Sequence, residues 1–439
     1  MADLVDAVDL QAHGFRMSPG EEGRPHFAAE LLLGVWLYGW MERIRSTRAL
    51  EKAIHTQMAF LWLTGLETPD HVTLWRFFRD NRAALRKLFK LVVKTAAKAG
   101  LVGFALHALD GTKLSAACST ETAQHRKTLE EELKKLDALV DAGIAEVEKN
   151  EEAAPPNWAM PEALQDKEKR KTEIRAALAA LDEAGTNHLH PQEPEARTVK
   201  TREGLKLGYN AQIVVDHDSD LIVAADVVTD ATDHGQLVPM LENVVDTLGE
   251  AAAETVADKG YWSGPQLEEA ERRRLPVLVP AQEESTKGDF AKSKFRWDAE
   301  RNMYICPRGV ELPLASTNNA TTGKAAHQLY RCHDDACPVR AKCTQDKKGR
   351  AIKRYAGEDA LAKQATKLQK RENQVLWSLR KEIVEHVFGI VKSIDGFRRF
   401  TVRGLEGANA QWSLACLAVN LRKLMPAVRD GQLCAAAFG

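Results

Sequence analysis

The 439-residue sequence has no Gly-rich phosphate loop ending in Lys-Ser/Thr, no HExxH and no nucleophile elbow. Nucleotide hydrolysis, zinc proteolysis and esterase chemistry are therefore without support. Long apolar runs are missing too: the longest, Leu31 to Met41, is about half a membrane span. The first residues, MADLVDAVDLQ, are acidic and amphipathic, unlike a signal peptide. The expectation is a cytoplasmic protein with no membrane partner. Seven cysteines then read as thiols or metal ligands, not as a disulfide framework. Net charge is only −1 and the pI is near 6.9, which excludes a histone-like polycation.

That near-neutral average conceals local asymmetry. Residues 340–403 hold 17 Lys/Arg against 7 Asp/Glu, while residues 129–168 hold 12 Asp/Glu against 4 Lys/Arg. One face suits a polyanion and another is kept away from it. Residues 27 to about 100 have helical apolar spacing through Phe27–Ile44, Leu50–Leu63 and Val72–Ala97. Asp70 is placed to cap the third of these, and helix, turn, helix is the outline of a DNA reader whose face would carry Thr73, Arg76, Arg79 and Asn81. A charged helical hairpin follows. Its stripes are Leu129, Leu133, Leu136, Val140 and Val147, then Leu164, Ile174, Leu178 and Leu181, divided by Ala153-Ala154-Pro155-Pro156-Asn157.

Around that hairpin lies an α/β pattern. Strands are expected at 104–110, Leu205–Val215, Leu221–Val228, 254–258 and Pro276–Pro280, with helices at about Gly235–Leu248 and 264–274. Residues 284–355 read as irregular and 359–392 as one long helix. Asp110 is expected to end the first strand and Asp258 the strand ETVAD, each with a glycine close behind that lets the chain turn off the sheet. Glu385 lies on the last helix, on one face with Lys381 and Lys392. Such acids suit Mg²⁺, a hard ion that takes oxygen ligands. Two ions about 4 Å apart can activate an attacking hydroxyl and stabilise the leaving oxygen of a phosphodiester.

The surrounding residues carry a resemblance. Asp110-Gly111-Thr112-Lys113, Asp258-Lys259-Gly260-Tyr261 and Glu385-His386-Val387-Phe388-Gly389-Ile390-Val391-Lys392 are followed by Arg398-Arg399-Phe400, Arg403-Gly404-Leu405 and Trp412-Ser413-Leu414. Over nearly its whole length the chain resembles bacterial insertion-sequence transposases of the DDE class, which have a ribonuclease-H-like catalytic domain. It departs from them at Val387, where Pro is common, and at Trp377, where a Tyr usually stands three residues before the Arg, here Arg380.

The resemblance implies a ribonuclease-H-like mixed sheet flanked by helices, formed by residues 101–122, 200–283 and 356–425. It implies an all-helical DNA-binding domain at 1–100, a helical-hairpin insert at 123–199, a cysteine-containing insert at 284–355 and a tail at 426–439. It implies two Mg²⁺ ions (Mn²⁺ as substitute) shared by Asp110 and Asp258 and completed by Glu385, with Lys392 on a phosphate. Arg380, Lys381, Arg398, Arg399 and Arg403 would add sequence-independent affinity for double-stranded DNA. The partners implied are the element's terminal repeats, target DNA and a second copy of the chain. The same fold also suits a DNA-binding protein that no longer cuts, or a simple nuclease. Separately, Cys306, Cys332, Cys337 and Cys343 are candidate ligands of a structural Zn²⁺, with His333 able to replace one, against a reading as free thiols. Cys118, Cys416 and Cys434 are isolated.

Overall fold

The structure is a computed structural model that describes residues 2–16, 27–120, 123–149, 162–284, 288–321, 325–334, 336–433 and 437, with side chains at 143–149 and 162–165 excepted. The Pro-containing break at 153–157, the side chains of Val147 and Leu164, and Cys434 lie outside the described residues.

Among the described residues six helices open the chain: α1 (Ala2–Ala7), α2 (Ala29–Met41), α3 (Thr47–Thr56), α4 (Met58–Leu63), α5 (His71–Asp80) and α6 (Arg82–Lys98). The apolar run Leu31–Met41 is the body of α2, and a helix apolar on nearly every side is a core helix. Among the described residues no helix is long and apolar enough to cross a membrane. Asp70 does cap α5, accepting the Thr73 N–H at 2.7 Å. The stretches expected as single helices at 50–63 and 72–97 each break once. Gln57 is extended, and Asn81 turns its amide back onto the Phe77 carbonyl at 2.9 Å.

The central sheet begins with β1 (Leu106–Ser115). An excursion follows through β2 (Gln124–His125), α7 (Arg126–Lys149), α8 (Glu162–Glu183) and β3 (His188–Leu189). This is the expected hairpin, closed by Leu129, Ile174, Leu181 and Leu189 with Leu133, Leu136 and Leu178 against them. The chain then returns as β4 (Arg197–Thr201), β5 (Gly204–Asp216), β6 (Ile222–Val228), α9 (Leu237–Leu248), β7 (Glu254–Ala257), α10 (Gly264–Arg272) and β8 (Val277–Leu278). Across the sheet the order is β6-β5-β1-β7-β8. The first three strands are antiparallel; β1, β7 and β8 are parallel. β4 extends the pairing on the first residues of β5.

Residues expected to be irregular form a small unit of their own. It contains β9 (Arg296–Asp298), β10 (Met303–Ile305), β11 (Glu311–Leu312), β12 (Leu314–Asn318), β13 (His327–Arg331), α11 (Arg340–Cys343) and β14 (Ala351–Arg354). Two three-stranded antiparallel sheets enclose Phe295, Tyr304, Leu312, Tyr330 and Ile352. Strands of two to five residues are too short for alternation to be read from sequence.

The long helix expected at 359–392 is two: α12 (Glu358–Lys367) and α13 (Arg371–Gly389), the second running into a π-helical turn at Ile390–Ile394. Asn373 ends α12 by donating its amide to the Lys367 carbonyl at 2.7 Å. Last comes α14 (Leu405–Arg429), buried through most of its length. Its Asn409 amide bonds both backbone groups of Val227 at 2.8 and 2.9 Å, and Asn420 does the same for Ile222 at 2.9 and 2.8 Å. These amides occupy the outer edge of β6 as a further strand would. One hydrophobic core runs without a break from the N-terminal helices, through both faces of the sheet, to α14.

Candidate active site

In the parallel pair β1/β7, Leu109 lies opposite Ala257, so the next residues, Asp110 and Asp258, stand abreast. Contrary to expectation, β1 does not end at its aspartate. It continues to Ser115 because β5 pairs with it along the whole length. Asp110 marks the point where β1 loses its parallel neighbour, and Asp258 directly follows the end of β7.

The Asp110 carboxyl accepts the Gly111 N–H at 2.8 Å and the Arg380 guanidinium at 2.8 Å. Burial pushes it up to about 6; Arg380 works against the rise and the negative Asp258 adds to it. Asp258 accepts the Gly260 N–H at 2.6 Å and so turns the chain off the sheet. Gly260 is needed for close approach: a Cβ there would lie 2.8 Å from the Asp258 carboxylate and 3.2 Å from that of Asp233.

Asp233 carries no motif in the sequence. Its polar loop, Thr229 to His234, reads as an ordinary turn. In the structure one of its oxygens accepts from Lys113 (2.9 Å), Asn210 (2.8 Å) and Gln212 (2.7 Å). Buried Tyr261 donates its hydroxyl to Gln212, and burial, then the charges of Asp233, Asp110 and Asp258, push that phenol well above its ordinary value. Three acids thus surround Tyr261, and the third is Asp233.

Glu385 is not brought to the aspartates. Its side chain is 64% exposed and stands 4.0 Å from Lys381. Val384 and Val387 lie on the buried face of α13, and the residue after Val384 is rotated by about 100° away from it. Among the described residues no three His, Cys, Asp or Glu side chains stand close enough to hold one metal ion. Asp110 and Asp258 do supply hard oxygen donors side by side, which fits Mg²⁺.

Helix α13 is pinned to the site at three points. The Trp377 indole donates to the Ala257 carbonyl at 2.9 Å, so its inability to accept is no handicap there. Arg380 reaches Asp110, and Lys392 reaches the Thr112 hydroxyl. Burial, then the charge of Arg202, lowers the Lys392 ammonium. Beside Asp110 opens a cavity of about 240 Å³ whose lining includes Lys113, Lys200, Arg202, Lys392 and Arg398, with Glu203 as its one acid. Lys200 lies near the end of β4 and Arg202 in the β4–β5 turn, and neither gives a signal in the sequence, since a basic Lys-Thr-Arg segment has no position until the strands pair.

The expected DNA contacts divide. Arg76 is exposed on α5, Lys381 on α13, and Arg403 precedes α14. Arg79 is exposed but bonded to Asp80 at 2.7 Å. Asn81 is buried, so it cannot belong to a reading face. Arg380 is committed to Asp110 instead of facing solvent. Arg398 donates to the Lys392 carbonyl at 3.0 Å, and Arg399 is spread over the carbonyls of Ala116, Ala117 and Cys118. That makes Arg399 a clamp between β1 and the α13–α14 connection.

Comparison with known proteins gives two family matches. Residues 1–80 match a family described as a transposase domain, and residues 305–425 match one described as a transposase DDE domain. Glu385 and Lys392 fall inside the second match, whereas Asp110 and Asp258 lie between the two. No curated protein matches the chain. A cryo-EM structure of piggyBac transposase in a synaptic complex with hairpin DNA aligns at 9% identity, covering 99% of this chain and 76% of that one, with a TM-score of 0.29. A likeness that low carries no argument. With a match to a transposase domain towards one end and to a transposase DDE domain towards the other, the chain is similar at both ends to DDE-type transposases.

Proposed function

We propose that this chain is a DDE transposase that cuts double-stranded DNA at the ends of an insertion sequence and joins the freed 3′-OH to target DNA, on a ribonuclease-H-like catalytic domain. The supporting observation is that Asp110 and Asp258 stand abreast on neighbouring parallel strands beside a cationic cavity. The strand order β6-β5-β1-β7-β8, with three antiparallel strands followed by two parallel ones, supports the fold.

Asp110 and Asp258 would hold Mg²⁺, or Mn²⁺ in its place, and the ions would activate the attacking oxygen and stabilise the leaving one. Glu385 is the third carboxylate by its motif; reaching the pair requires a shift of α13 or of its own side chain. Lys392, Lys200 and Arg202 would hold the DNA backbone by its phosphates as point charges. Arg380 keeps Asp110 oriented, and Asp233 keeps Lys113, Asn210 and Gln212 in place. The N-terminal helices, with Arg76 exposed, would read the element's end, and a homodimer would bring two ends together.

The test is a cleavage assay on a duplex bearing the sequences that flank the chain's own coding region. Mg²⁺-dependent nicking should appear, followed by joining to a second duplex. Both should vanish in Asp258→Asn while DNA binding remains. Binding without cleavage under any divalent ion would make the chain a DNA-binding relative, and nicking that never leads to joining would make it a nuclease.

A further inference from the structure

Cys306, Cys332, Cys337 and Cys343 are free thiols and do not stand close enough together to hold one ion. The N-terminal helices carry a more telling surface. Helix α4 reads MAFLWL, six residues without a charged or amide side chain, and Thr64-Gly65-Leu66 follow it. A helix apolar on every side is normally covered on every side. Here only Phe60 is fully buried, its ring 4.9 Å from that of Tyr38 on α2. Met58, Trp62 and Leu66 are 84%, 74% and 76% exposed. Met58 and Trp62, four residues apart, share one helix face, and Leu66 continues just past its end. Leu66 is held at φ +70°, a left-handed conformation unfavourable to a side chain, by its N–H on the Leu61 carbonyl at 2.9 Å. The backbone is strained there, and an apolar side chain still stands in water. Among the described residues nothing covers this stripe.

We propose that the Met58–Trp62–Leu66 stripe is the surface through which two copies of the chain pair, with their α4 helices antiparallel across a two-fold axis. Charge excludes nucleic acid as the occupant. No Lys or Arg occurs from Ala53 to Trp75, while Glu67 and Asp70 follow the stripe, so the surface repels a phosphate backbone. Charge also favours a second copy. Arg48 and Lys52, exposed on α3, precede the stripe, and Glu67 and Asp70, exposed, follow it. A two-fold interface brings the same patch of both copies together. Antiparallel pairing sets the basic end of each copy against the acidic end of the other and brings Trp62 close to the partner's Trp62. A tryptophan between Met and Leu, with charges only at the margin, also has the composition of an interface centre. The homodimer proposed to hold two DNA ends thereby gains its surface, and the inference rests on that reading for why two copies should meet.

Sedimentation velocity on the full chain without DNA, in the micromolar range, measures the pairing. The wild-type chain should be a dimer. Trp62→Glu should raise the dissociation constant by about 30-fold or more, as loss of a central aromatic anchor does, without lowering thermal stability. Lys52→Glu and Glu67→Lys should each weaken the dimer, and the two together should restore it, because these charges face each other across the axis. Should Trp62→Glu fail to fold, Trp62→Cys decides: mild oxidation should link two copies through residue 62, a link the wild-type chain does not form. A wild-type monomer throughout that range, a dimer untouched by Trp62→Glu, or a double charge variant no better than the single ones would each overturn the inference. No readout involves DNA cleavage. A dimer of this kind that never cuts fails only the proposed reaction, and cleavage by a chain that pairs elsewhere fails only this surface.

Discussion

Asp110 carries its charge in a place that disfavours it. Its folded value of about 6 lies above the ordinary carboxylate value of 3.8, with burial as the main cause. A raised value means that the stabilising contribution is complete below the unfolded value and is lost as pH rises through about 6. Asp110→Asn should therefore unfold at a higher temperature than wild type at pH 7.5 in chelator, and the gap should close towards pH 4. Calorimetry across that range checks it; an Asn variant less stable at pH 7.5 would show that Arg380 outweighs burial. Asp233 makes a different prediction. It touches Lys113, Asn210 and Gln212 and shares the surroundings of Tyr261 with the two aspartates, so Asp233→Asn should cost about 10–100-fold in metal affinity or cleavage. Glu385→Gln should abolish cleavage while leaving thermal stability unchanged, because the side chain is exposed. Cleavage surviving in Glu385→Gln but lost in Asp233→Asn would transfer the third-carboxylate role to Asp233.

At the scale of elements, the outer edge of β6 is protected by side chains and not by a strand. Asn409 and Asn420 on α14 each satisfy a buried N–H and a buried carbonyl, of Val227 and Ile222. Removing either amide strands those groups away from water, at about 1–3 kcal/mol for each group left unpaired. Asn409→Ala and Asn420→Ala should accordingly lower the urea midpoint with little change in slope, whereas Asn→Asp should restore only the bond to the N–H. The same logic applies to α13. Trp377, Arg380 and Lys392 attach it to β7 and β1 at three places, and its π-helical turn at Ile390–Ile394 sets where Lys392 comes to lie. π-Helical turns inside helices often mark functional positions.

Over the whole molecule, the near-zero net charge masks a cavity with five cations and one acid beside the aspartate pair, while the acidic hairpin is held on its own separate core. If the cavity grips phosphates, Lys200→Ala and Arg202→Ala should each reduce the slope of log affinity against log salt by about 0.9, the share of one neutralised phosphate. Binding titrations from low to moderate salt measure this. An unchanged slope would place the DNA elsewhere. The N-terminal helices share their core with the sheet, so the unit expected at 1–100 is bound to the central sheet by buried apolar surface. A DNA end held by those helices would keep a set orientation to the aspartates.

The local code was enough for much of this. Asp70 caps α5, the stripes Leu129–Leu136 and Ile174–Leu181 meet as a hairpin, and alternation of strands and helices yields a mixed sheet, because caps and apolar periodicity act within a few residues. Asp110 and Asp258 could be picked out since a motif surrounds each. Only tertiary structure decided what depends on residues distant in sequence. Pairing with β5 carries β1 past Asp110, and Asp233 enters the site from a featureless loop. Arg380 and Arg399 are turned from expected DNA contacts into internal partners, and the rotation of α13 leaves Glu385 on its exposed flank. Each of these is a contact between segments that meet only once the sheet has formed, and no sequence window of helix or strand length contains both partners.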